Sequence, residues 1–193
     1  MKAIDDLFLN VSNFRKYVPG ISANIELEEL NSSAISARKQ ICNIITRELW
    51  DILKKEYDDS DARDYLAHAF GNLIMHKSLI FGVVSNRVSG QADVYKHELE
   101  TMKRQYIDNY YNAMDSLIQE LTENDTYSTQ WKETHDYKLL SELKIQGTAE
   151  FNSYYGIDMS YLFFFRTISL QREILLDGLG DLFTAVTRDD LTS

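Results

Sequence analysis

The chain has 193 residues, with 20 Lys and Arg against 30 Asp and Glu, a formal net charge of −10, and single Cys and Pro residues. A hydrophobic share of 44% beside 26% charged residues is that of a globular chain, neither a disordered polymer nor a membrane-embedded one. Sparse Gly and Pro favour long helices, and one helical domain over residues 1–193 is expected, large enough to bury a core without metals or disulfides.

Residues 1–20 contain two acids and no continuous apolar run, unlike a signal peptide. Residues 1–18 read as an N-terminal arm (or short strand) and a short helix, with Ser12 as its cap, Phe14 and Tyr17 on it, and Pro19-Gly20 as its stop. From Ile25 to Ile45 apolar residues recur every three or four positions, which predicts a helix. Cys42 lies in that stretch with no partner thiol, so an intramolecular disulfide is excluded and a packed thiol is the expected reading. Thr46 caps a further piece that buries Leu49, Trp50, Ile52 and Leu53. Asp58, Asp59 and Asp61 around Ser60 then open a helix reaching Phe81.

Val83–Gln91 reads as the main break, because Ser85, Asn86, Ser89 and Gly90 are turn formers. Beyond it, Ala92 to Asn124 lacks both Pro and Gly. Leu99, Met102, Tyr106, Tyr110, Ala113, Leu117 and Leu121 form one stripe at helical spacing, flanked by Ile107, Tyr111, Met114 and Ile118. A helix apolar on two faces wants more than one neighbour. Asn124–Thr126 reads as a turn, Ser128 as the cap of a helix carrying Trp131, Tyr137, Leu139, Leu140 and Leu143, and Ser160–Val186 as a last helix. Residues 187–193 form a polar, flexible tail. No apolar run approaches the ~18 residues that a membrane span needs, and a soluble protein of a reducing compartment is expected.

The last helical stretch echoes an earlier one. Arg166–Val186 aligns without gaps on Ser33–Leu53, matching Ile35, Ser36, Ile41 and Leu49 with Ile168, Ser169, Ile174 and Leu182. Upstream, Phe14 and Tyr17 match Phe151 and Tyr154. Such repetition points to architecture, here a weak internal repeat packed about a local axis.

Catalytic groupings are missing. There is no G-x-x-x-x-G-K-[ST], G-x-G-x-x-G or G-x-S-x-G, and none of His68, His76, His97 and His135 has a Glu three residues before it, as a di-iron bundle would require. No cofactor, metal site or enzymatic activity is expected. The acidic balance disfavours a surface that grips phosphates, yet suits one past which DNA slides. Tyr side chains keep a polar tip while burying area, so Tyr106, Tyr110 and Tyr111 are candidates for a subunit interface.

Several segments carry a family resemblance: FRKYV, the A-x-x-x-I…ELWDIL block, the SNRVSG turn, NAMDSLIQELTEN, W-K-E-T at Trp131–Thr134, TAEFNSYYGI and ILLDGLGDLF. Together they resemble a helical family of Bacteroidales phages and prophages, including crAss-like phages, whose members are thought to be virion head–tail connector (neck ring) proteins. Ile45-Thr46 stands where that family tends to have a glycine, and the turn lacks an acid often found after its serine. The resemblance implies an all-α adaptor that forms a dodecameric ring below the portal of a bacteriophage. It also implies contacts with portal and tail proteins, and DNA passing through the lumen without sequence-specific binding. Val84, Ser85, Asn86, Arg87, Val88, Ser89, Gly90 and Lys96 are the candidate docking loop, with the two termini as further docking elements. A second reading is a host-encoded cytoplasmic module for protein–protein interaction. A third, an enzyme, would need a deep pocket with convergent polar groups.

Overall fold

A computed structural model describes residues 2–21, 25–56, 60–88, 96–143, 145, 147–156 and 161–175. The protein is all-helical, with no strand among the described residues. Among them no helix is long and apolar enough to cross a membrane. The chain divides into two compact units, Met1–Glu120 and Leu121–Ser193.

In the first unit a 3-10 turn at Ile4–Asp6 precedes α1 (Val11–Tyr17), α2 (Asn31–Leu53) and α3 (Asp61–Val88). The unit also holds most of α4 (Lys96–Glu123). The cap of α1 is Asn10, whose side chain accepts from the Asn13 N–H at 2.8 Å, and not Ser12. The N-terminal arm is core. Ile4, Leu7 and Phe8 are buried, and Phe8 stacks on Phe70 with ring centroids 5.8 Å apart. Asp6, only 5% exposed, accepts from Arg38 at 2.8 Å and from the Trp50 indole at 3.1 Å, with Lys54 nearby. The arm named as a docking end is thus packed into the first unit.

Helix α2 begins at Asn31, later than predicted, because Leu27–Leu30 turn back on themselves before it. It kinks at Thr46, whose φ of 72° and ψ of 162° lie in backbone space that favours glycine. The Thr46 hydroxyl accepts from the Leu49 N–H at 3.4 Å, so it caps the second half as predicted. In α3, Gly71 lets the α1 region approach: a Cβ there would sit 2.5 Å from Val18 and 3.3 Å from Phe8. Along α4 the predicted stripe is buried from Tyr106 through Tyr110, Ala113 and Leu117 to Leu121.

The second unit has its own aromatic core, which is why it forms separately. It contains α5 (Asp125–Lys132), α6 (His135–Lys138), a 3-10 turn at Leu139–Glu142, α7 (Thr148–Tyr155) and α8 (Tyr161–Glu173). Trp131 packs on Phe165 at 5.0 Å between centroids, and Phe151 on Phe164 at 5.3 Å. Asn124 and Thr134 cap α5 and α6, whereas Ser128, the predicted cap, is buried inside α5. The last predicted helix is seen as α8, and its remainder, with the tail at 187–193, lies outside the described residues.

The internal echo extends to environment only in part. Ile35 is 51% exposed where its match Ile168 is buried, and Ile41 is buried where Ile174 is 44% exposed. Ser36 and Ser169 are both exposed and Phe14 and Phe151 both buried, so the matched positions share an environment only in part.

Candidate functional site

The candidate docking residues are not a loop. Val84, Ser85, Asn86, Arg87 and Val88 form the end of α3, and Lys96 is the first residue of α4. The turn formers there are weak ones, and a helix already nucleated over six turns propagates through Ser and Asn at small cost. Ser89 and Gly90 lie outside the described residues.

Two of the three candidate interface tyrosines are covered within the first unit. The Tyr106 hydroxyl donates to the Pro19 carbonyl at 3.2 Å, and the Tyr110 hydroxyl accepts from Gln40 at 3.5 Å. Both rings are buried, which corrects the interface expectation for them. Tyr111 remains 40% exposed beside Tyr110.

The same packing leaves a cleft of about 310 Å³ bounded by the C-terminal end of α1, α3 and α4. Tyr17 and Pro19 close one side, Tyr65, His68 and Asn72 come from α3, and Asn109, Asn112 and Ser116 from α4. Asn72 forms its floor. The Asn72 amide donates to the Tyr17 carbonyl at 3.2 Å and to the His68 carbonyl at 2.8 Å, while its oxygen accepts from Asn109 at 3.1 Å. Tyr17 donates to Asp64 at 2.7 Å and lies edge-on to the His68 ring. Burial, and then the bond to Asp64, holds the Tyr17 phenol above its ordinary pKa, and burial does the same at Tyr106.

Sequence reasoning missed this cleft, since asparagine amides carry no catalytic motif. The available signal was Asn72 itself, a polar residue inside the apolar run around Phe70, Leu73 and Ile74. The histidines do not come together as ligands. His76 shares a hydrogen bond with the Lys103 carbonyl at 3.1 Å, and no metal-binding cluster exists among the described residues. Cys42 is half-buried, and desolvation raises its thiol pKa, as suits a packed side chain.

In the second unit the outward side of α8 carries large apolar residues beside the exposed Arg166, Ser169 and Glu173. Phe163, Leu170 and Ile174 are 55%, 56% and 44% exposed, and Tyr154 on α7 is 53% exposed. Steps of seven and four residues place the first three on one helix face. Leu162, Phe164, Phe165 and Ile168 point the other way, into the core. The chain matches no family model, no curated protein and no solved structure.

Proposed function

We propose that the chain is a structural virion protein, a head–tail connector subunit that forms a neck ring below the portal and has no enzymatic role. The motif resemblance supports this reading, and one structural observation carries it further: the exposed row of Phe163, Leu170 and Ile174. Apolar residues scattered singly on a surface need no explanation, but three large ones aligned along one side of a helix are suited to burial against another chain. The surplus apolar flank expected on α4 is largely buried, so α8 and Tyr154 take its place as the mating surface. Copies of the chain arranged in a circle would cover such faces in turn. The net charge of −10 keeps a lumen unattractive to DNA, which passes without adhesion.

Imaging of virions whose genome encodes this chain tests the reading directly. Density for the chain as a ring at the unique portal vertex is the expected result. A chain missing from virions and monomeric at high concentration would instead leave the host interaction module.

A further inference from the structure

The cleft of the first unit has the form of two polar rails. Tyr65, His68 and Asn72 line it from α3, facing Asn109, Asn112 and Ser116 from α4. Each rail runs over seven helical steps, about 10 Å at 1.5 Å per residue. Three residues of an extended chain cover about the same distance at 3.3 Å each.

The floor is already satisfied, since Asn72 and Asn109 bond each other and Asn109 also accepts from Gln105 at 3.0 Å. The rims are not. The Tyr65 hydroxyl, the His68 ring nitrogens and the Asn112 side-chain amide make no hydrogen bond among the described residues. His68 and Asn112 are exposed. A carboxamide offers a donor and an acceptor side by side, as a peptide unit does, so Asn112 can bond both groups of an extended backbone. No Lys, Arg, Asp or Glu lines the cleft. It therefore has no group to neutralise a phosphate and no carboxylate to hold a cation. The Tyr17 and Tyr65 rings and Pro19 supply apolar wall for small side chains.

We propose that this cleft binds a short, extended, uncharged peptide segment of a partner protein, recognised chiefly through its main-chain amides. The proposal stands apart from ring assembly, because the cleft belongs to the first unit and the exposed apolar row to the second.

The test is an NMR titration of the full-length chain labelled with nitrogen-15. The probes are a pool of capped tripeptides built from Ala, Ser, Gln, Pro and Leu, with uridine and methyl glucoside as separate arms. The pool should shift the Asn109 and Asn112 side-chain amides saturably. Asn112→Ala and Tyr65→Phe, which remove rim side-chain groups that make no hydrogen bond among the described residues, should each weaken binding about fivefold, the loss of one hydrogen bond. No saturable shift with the pool, an unchanged affinity in both variants, or stronger binding of uridine or the glycoside would overturn the proposal.

Discussion

Thr46 holds a backbone conformation in which a β-branched side chain is strained, at an expected cost of about 1–3 kcal/mol. Its hydroxyl returns part of that by capping the second half of α2. Glycine relieves the strain, serves as a cap with only a small loss, and adds entropy to the unfolded chain. Thr46→Gly is therefore expected to stabilise the protein by about 1 kcal/mol, read as a raised urea midpoint with unchanged slope. Tyr17 and Tyr106 make a second prediction at this scale. Both phenols are held above the ordinary value of 10.0, so the native state favours their neutral forms. Their contribution to stability is complete below pH 10.0 and is lost as pH rises through the folded values. The urea midpoint should hold below pH 10.0 and fall above it, and less steeply in Tyr17→Phe or Tyr106→Phe.

Helix α3 shows how one small residue sets a packing distance. Gly71→Ala would push a methyl to within 2.5 Å of Val18 and is expected to cost about 1–3 kcal/mol despite the better helix propensity of alanine. Thermal unfolding monitored by circular dichroism checks both sign and size. That glycine went unremarked in the sequence because a helix interior gives no sign of what crosses it. Periodicity did reveal α4, where the stripe from Tyr106 to Leu121 is buried as its spacing requires. Thr46 was legible as a cap because a hydroxyl three residues before a backbone N–H is a local relation. The end of α3 was not legible, since Ser85 and Asn86 favour turns only when nothing already helical precedes them. Cap positions moved likewise from Ser12 to Asn10 and from Ser128 to Asn124, where competing side chains stood within a few residues. The cleft needed three segments distant in sequence, Tyr17 to Pro19, Tyr65 to Asn72 and Asn109 to Ser116, and no local pattern joins them.

At the scale of the whole molecule, each compact unit carries one of the two tryptophans, Trp50 in the first and Trp131 in the second, and both are fully buried. Single-tryptophan variants, Trp131→Phe and Trp50→Phe, then report the units one at a time. The second unit is the smaller, and smaller bodies bury a lesser fraction of their surface. Its fluorescence transition is expected at lower denaturant than that of the first, and superimposable curves would show that the two unfold as one. The chain is acidic overall, yet the cleft between α3 and α4 has no charged lining. Attraction governed by −10 charges fades as counterions accumulate, whereas hydrogen bonds between neutral groups hardly respond. Raising ionic strength should thus separate two kinds of encounter, weakening whatever the acidic exterior steers while leaving an occupant of the asparagine-lined cleft in place.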